Sequence, residues 1–290
     1  MALKRFLMIG FVAAVLVACG DDDSDFISRP DGKESSSSDV SSSSDSPQSS
    51  DGETSVSAPC SALPGGICDY GSLTDSRDDQ TYKTITIGTQ TWMAENLNYA
   101  YTDVFYKYDK NNTSDSTSWC YDNVSDNCTK YGRLYTWAAA MDSVGTWGTN
   151  GKGCGYDVIC SPTYPVRGIC PEGWHLPSKA EFEILFEAVG GVQDKEYDYK
   201  WQGVSTPLKS ITDWNSSGNG TDAFGFSSLP AGGRGSGEFY HSEGNFASFW
   251  SSTEYNDINA YNMSLHYDDD LAYLGSGNQF LGFSVRCVKD

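Results

Sequence analysis

Cys170-Pro171-Glu172-Gly173-Trp174-His175-Leu176-Pro177-Ser178-Lys179-Ala180-Glu181-Phe182-Glu183-Ile184-Leu185-Phe186-Glu187-Ala188-Val189-Gly190-Gly191 is the stretch on which the fold turns. Ser178 followed three residues later by Glu181 forms a capping box, satisfying N–H groups that the first turn of a helix leaves open. Phe182, Leu185, Phe186 and Val189 then recur at i, i+3, i+4 and i+7, one apolar stripe. The spacing predicts a helix over 179–189. Gly190-Gly191 ends it, and Pro177 sets an extended approach.

Outward from this helix the chain reads as strands. Thr81 to Ile87 alternates β-branched and polar residues. Gly88-Thr89 turns the chain and Gln90 to Ala94 returns, a hairpin. Leu134 to Met141 is Ala-rich and predicts a short helix. Beyond residue 204 the chain is Gly-rich, with short strands expected over 248–252, 261–266 and 282–288. Few helices, many short strands and long loops predict an α+β fold with looped antiparallel strands.

Nine cysteines complete the frame, an odd count. Proximity pairs Cys60 with Cys68, Cys120 with Cys128 and Cys154 with Cys160, leaving Cys170 and Cys287 to join the helix lead-in to the last strand. Eight cysteines allow 105 connectivities, so spacing alone does not fix this set. Structural zinc is disfavoured, because no Cys-x2-Cys pair exists and the three histidines are scattered. Calcium remains open. Asp122, Asn123, Asp126 and Asn127 cluster between Cys120 and Cys128, and Asp268, Asp269 and Asp270 form a second oxygen-rich run. Solvated acidic loops are the preferred reading of both. No other cofactor is indicated.

The ninth cysteine belongs to the N-terminus. Lys4 and Arg5 precede an apolar run of 13 residues, Phe6 to Ala18, which suits a signal-peptide core and is short for a span. Leu16-Val17-Ala18-Cys19-Gly20 resembles a bacterial lipobox, which implies lipidation at Cys19. By that resemblance residues 1–18 are a signal peptide. Gly20 after the cysteine implies the outer membrane, and Asp21-Asp22-Asp23 resembles an export tag to the cell surface or reads equally well as a solvated acidic leader; the periplasmic face is the alternative. Residues 19–59 hold 15 serines and ten acids against Arg29 and Lys33. Such a segment cannot bury enough apolar area to offset its ordering entropy, and it reads as a flexible tether. The domain is therefore 60–290, and export supplies the oxidising compartment that disulfides need.

The net charge of −20 excludes a nucleic-acid binder, which needs a basic surface to displace counterions. It equally disfavours electrostatic docking on anionic lipid. Membrane association is expected through the lipid anchor alone.

Three sets of residues together resemble the Fibrobacter succinogenes major paralogous domain family. They are Asp79 to Ile85 with Trp92-Met93-Ala94-Glu95-Asn96-Leu97-Asn98; Cys128 with Tyr131-Gly132-Arg133-Leu134-Tyr135-Thr136-Trp137; and Cys170 to Ser178 with Phe249-Trp250-Ser251-Ser252-Thr253 and Val285-Arg286-Cys287-Val288. The likeness covers roughly residues 70 to 290. The last set is also similar to formylglycine-generating enzymes and C-type-lectin-like domains. This implies a C-type-lectin-like fold with two short helices and several disulfides, and no established activity.

The residues argue against the chemistry of those relatives. Formylglycine generation needs a reactive cysteine pair near the C-terminus, where only Cys287 stands. The lectin calcium triplets Glu-Pro-Asn, Gln-Pro-Asp and Trp-Asn-Asp are absent. Gly232 to Gly237 lacks the lysine of a phosphate loop. With 39 acids, a pair spaced for glycoside hydrolysis carries no signal. His175, between Trp174 and Leu176, reads as structural. No catalytic constellation emerges, and an enzyme is not expected.

Aromatics are the remaining handle. Trp201, Trp214, Phe239, Tyr240, Tyr255, Tyr261 and Tyr273 stand in Gly/Asn/Ser-rich context, which suits flat rings presented to sugar faces or to a protein partner. The expected function is a lipid-anchored binding module for polysaccharide or a surface protein. A structural envelope protein without soluble ligand is the second reading, and an uncharacterised enzyme the third.

Overall fold

The computed structural model describes residues 56–63, 66–101, 117–236 and 239–290, and the backbone alone at 106–107 and 113–114. Residues 1–18, Cys19 and the tether as far as residue 55 lie outside the described residues. So do positions 237–238.

Two five-stranded antiparallel sheets carry the domain. The first is built from β1 (Gly71–Thr74), β2 (Thr81–Ile87), β3 (Gln90–Met93), β4 (Trp174–His175) and, from the far end of the chain, β10 (Val288–Lys289), in the order β1-β2-β3-β10-β4. The second is built from β5 (Val192–Gln193), β6 (Lys200–Gln202), β7 (Phe246–Glu254), β8 (Asn259–His266) and β9 (Leu271–Asn278), in the order β7-β8-β9-β6-β5. The expected β2–β3 hairpin is present, with Thr86 opposite Thr91 and Gly88 supplying the positive φ of 62°. The helices are α1 (Ser125–Tyr131), α2 (Trp137–Ala140), α3 (Lys179–Ala188) and α4 (Ser205–Leu208). Four short helices thus stand among the described residues where two were expected.

α3 forms as its capping box predicts. Ser178 Oγ accepts from the Glu181 N–H, and Glu181 Oε2 accepts from the Ser178 N–H at 2.7 Å. Its stripe of Phe182, Leu185 and Phe186 is fully buried between the two sheets, against Ile85, Ile87 and Trp92 on one side and Met263, Leu265 and Leu274 on the other. Trp92 stacks on Phe182 at 5.4 Å and meets Phe226 edge-on at 5.8 Å. A second core holds Met93, Leu97, Tyr135, Trp137, Cys170, Trp250 and Phe283.

Two expected elements divide differently. Leu134 to Met141 is not one helix: Leu134–Tyr135 pairs as a strand with Ser118–Trp119, and Thr136 then caps α2 through its side chain. Tyr135 is a β-former whose ring fills the core, so the Ala-run starts its helix only after it. Residues 282–288 are likewise not a regular strand. They thread between elements by single bridges, Gly282 to Arg234, Phe283 to Tyr135 and Ser284 to Phe249, before Val288 joins the first sheet.

All four proximity-based disulfides are present: Cys60–Cys68, Cys120–Cys128, Cys154–Cys160 and Cys170–Cys287. The last closes a separation of 117 residues and ties the α3 lead-in to the C-terminal segment. Arg286 in that segment is fully buried. It donates to Asn96 Oδ1 at 2.8 Å and to the carbonyls of Phe226 and Ser227, with its guanidinium 4.4 Å from the Phe226 ring centroid. These partners replace water for a charge that burial pushes toward deprotonation.

Candidate functional site

The alternation of a β-strand sends successive side chains to opposite faces of a sheet. In the second sheet one face bears Ala247, Phe249, Met263, Leu265, Ala272 and Leu274 and packs on α3. The register therefore puts Phe246, Ser248, Asn262, Ser264, His266, Tyr273 and Gly275 on the opposite face. That face is covered at one end, where Phe283 lies 4.5 Å from Trp250. At the other end it is partly open.

A continuous row of rings crosses the open end. Phe239 stacks on His241 at 5.9 Å, His241 meets Phe246 at 5.4 Å, Phe246 meets His266 at 6.2 Å, and His266 meets Tyr273 at 4.9 Å. Phe239 is 65% exposed and the other four are half-buried. The row is fixed from behind. The Gly233–Arg234 and Tyr240–His241 ribbon carries Phe239 and His241 to the edge of β7, where Gly232 bridges to Ala247. The Tyr273 hydroxyl donates to Asp269 Oδ2 at 2.6 Å, anchoring the ring at the turn. Burial pushes both histidines below the ordinary imidazole range, for His266 against the pull of Asp269 and Asp268. Both rings are therefore neutral at pH 7, and the row is an uncharged apolar strip beside an acidic turn.

Beside the row lies a polar floor. Ser248 Oγ and Ser264 Oγ are 2.6 Å apart, and Asn262 Nδ2 donates to Ser264 Oγ at 2.8 Å.

Of the residues singled out from the sequence, Phe239 and Tyr273 belong to the row. Trp201 and Trp214 do not reach the surface. Trp201 packs edge-on against Phe186 at 5.5 Å, and Trp214 Nε1 donates to Ser210 Oγ and the Ser228 carbonyl inside the core. Tyr240 turns to the back of the ribbon, 5.4 Å from Tyr121, and donates to Asn123 Oδ1. Tyr255 and Tyr261 form a separate edge-on pair beside Lys179. His241, Phe246 and His266 were not singled out. For His266 alone a local signal was available, in the alternation of Ala260, Asn262, Ser264 and His266 with Tyr261, Met263 and Leu265 along β8; His241 and Phe246 join it only through pairing between strands.

In the Cys120–Cys128 loop, Asn123 Oδ1 is engaged by Tyr240 and Asn127 Nδ2 donates to the Tyr121 carbonyl at 3.0 Å. Asp269 accepts from the Leu271 N–H two residues on, as turn-forming side chains do, and Asp270 accepts from the N–H of Thr206 in α4. Among the described residues no group of three His, Cys, Asp or Glu side chains converges to hold a metal. His175 is a structural clasp: Nδ1 lies 2.8 Å from Asp290 and Nε2 2.7 Å from Glu181 of the capping box. The Cys287 sulfur is joined to Cys170, so it offers no thiolate for formylglycine-type chemistry.

The sequence pattern of the Fibrobacter succinogenes major domain matches residues 85–289. No curated protein and no solved structure matches the chain.

Proposed function

We propose that this chain, which belongs to the Fibrobacter succinogenes major domain family, is a tethered, non-catalytic module that binds polysaccharide along the ring row Phe239-His241-Phe246-His266-Tyr273. The observation that supports the reading is the row itself. Flat apolar rings half-exposed next to hydroxyl and carboxamide groups match a sugar, whose faces carry C–H groups and whose edges carry hydroxyls. A row longer than one ring suits a polymer better than a monosaccharide.

The attachment of the tether supports it as well. Ser57 N donates to the Ala188 carbonyl at 2.7 Å, and Ser57 Oγ accepts from Gly88 N, so the chain from residue 56 joins the domain at the C-terminal end of α3. α3 and the ring row lie on opposite faces of the second sheet. A domain held by lipid at Cys19 would thus present the row on the face away from its attachment. Outer-membrane anchoring at the cell surface is part of the same proposal.

The test is affinity electrophoresis of the domain 56–290 in gels containing soluble polysaccharides, comparing wild type with Phe239→Ala/Tyr273→Ala. Taking the about 0.5–1.5 kcal/mol of an aromatic pair as the scale for each ring, the double variant should bind roughly 5- to 150-fold more weakly, with an unchanged melting temperature at Phe239 alone. Retardation by any polysaccharide that survives the double substitution unchanged would remove the row as the site.

A further inference from the structure

We infer that the ring row ends in a subsite for a single neutral sugar ring, a hollow over Gly275 read by the carboxamide of Asn262. The inference rests on the polysaccharide reading and narrows it to one position and one ligand class.

The hollow is visible in the glycines of β9. At Gly277 a Cβ would come within 2.9 Å of the Phe283 ring, so that glycine is required by packing. At Gly275, two residues earlier on the same face, a Cβ would meet nothing within 4 Å among the described residues. Tyr273 stands two residues before it and closes the other end. Two residues of strand rise about 7 Å, so the backbone positions of Tyr273 and Gly277 stand roughly 13 Å apart, with the Tyr273 ring at one end of the hollow and the Phe283 ring at the other. Gly275 pairs with Asn262 across the ladder, so the carboxamide lies beside the hollow.

Asn262 is 7% exposed. Its Nδ2 donates to Ser264 Oγ, while Oδ1 accepts no hydrogen bond among the described residues and lies 3.2 Å from the Cβ position of Gly277, at the Phe283 end of the hollow. Oδ1 is not among the fully enclosed unpaired atoms, so it keeps contact with solvent and is free to accept a ligand hydroxyl in place of water. The adjacent turn bears Asp268, Asp269 and Asp270, so a uronate would meet like charge, and the two row histidines are neutral. The ligand class is therefore an uncharged hexose or pentose within a chain, one face on Tyr273 and one hydroxyl on Asn262 Oδ1.

The experiment is a volume series, Gly275→Ala, Gly275→Val and Gly275→Leu, with Asn262→Ala, assayed against mixed-linkage β-glucan, xyloglucan, galactomannan and polygalacturonate. Melting temperatures are followed in parallel. The expected result is binding of at least one neutral polysaccharide that weakens with side-chain volume, at least tenfold for Gly275→Leu, with folding intact. If Gly275→Leu and Asn262→Ala bind as wild type while Phe239→Ala/Tyr273→Ala does not, the subsite is overturned and the row stands. Binding of polygalacturonate in preference to the neutral polymers overturns the ligand class. If wild type binds none of them, both readings fall.

Discussion

Removing the Cys170–Cys287 disulfide should cost far more stability than removing any local one, and the difference follows from loop length. Cross-linking lowers the entropy of the unfolded chain by an amount that grows with the logarithm of the closed loop. For the separation of 117 residues this amounts to about 5 kcal/mol, and for the separation of 8 at Cys120–Cys128 about 2.5 kcal/mol. Both Cys170 and Cys287 are fully buried, so Cys170→Ala/Cys287→Ala also leaves a small void, which adds to the loss. Five kcal/mol is a third or more of the stability of an ordinary domain. The assay is equilibrium unfolding in guanidinium chloride by tryptophan fluorescence, comparing that double variant with Cys120→Ala/Cys128→Ala. A long-loop variant that loses no more than the short-loop one would refute the reasoning. It would mean that the bridges of residues 282–284 and the buried Arg286 already hold the C-terminal segment without its covalent tie.

The His175 clasp predicts a pH signature. Burial alone would lower the His175 pKa, but hydrogen bonds to Glu181 and Asp290 outweigh it and raise it above 6.5, while the same pairing holds Glu181 below 4.5 against its own desolvation. The raised histidine stabilises fully below pH 6.5 and loses its contribution as pH rises through the folded value; the lowered glutamate stabilises above pH 4.5 and loses it as pH falls through its folded value. The stability gap between wild type and His175→Asn should therefore be widest between about pH 4.5 and 6.5, and a gap flat from pH 5 to 8 in urea titrations would contradict this. Asp142 is fully buried at a positive φ of 53° and accepts the Tyr101 hydroxyl and the N–H groups of Thr146, Trp147 and Gly148. Asp142→Asn turns one acceptor into a donor facing donors, at a cost of about 3 kcal/mol by chemical denaturation; a loss under about 1 kcal/mol would show the loop to be held elsewhere.

How much of this was legible in the sequence depended on the range of the interaction. α3, the β2–β3 hairpin and the three local disulfides are encoded within about ten residues, where capping, alternation and proximity each act alone. Cys170–Cys287 followed by elimination. The strand at Leu134–Tyr135 was hidden because its partner, Ser118–Trp119, lies beyond a disulfide loop and helix propensity was the only local signal. Aromatic exposure was the hardest property to read. Trp201 and Tyr273 sit in similar Gly- and Tyr-rich surroundings, and they separate only because adjacent strands pair Trp201 with Ala272 on the core face and Lys200 with Tyr273 on the other. A register between two strands 70 residues apart is not a local quantity, so the ring row could not be assembled before the sheet was.

The strongest sign that the face has been shaped for something is a residue that weakens it. A face kept only for solubility would carry β-branched and charged side chains, which fit a pleated surface and stay wet. β9 instead spends two glycines in its middle, and glycine inside a strand lowers stability through backbone entropy and gives nothing to pack. Gly277 has a reason, since the Phe283 ring occupies the place of its side chain. Gly275 has none inside the described protein, and its φ lies outside the left-handed region that would demand glycine. Folding alone therefore favours a side chain there. Gly275→Ala should raise stability by roughly 0.5–1 kcal/mol while lowering affinity for the neutral polysaccharide, the opposed signs expected where a cavity is kept open for a ligand. A destabilised Gly275→Ala would show instead that the glycine serves the strand, and the hollow would then be incidental to it.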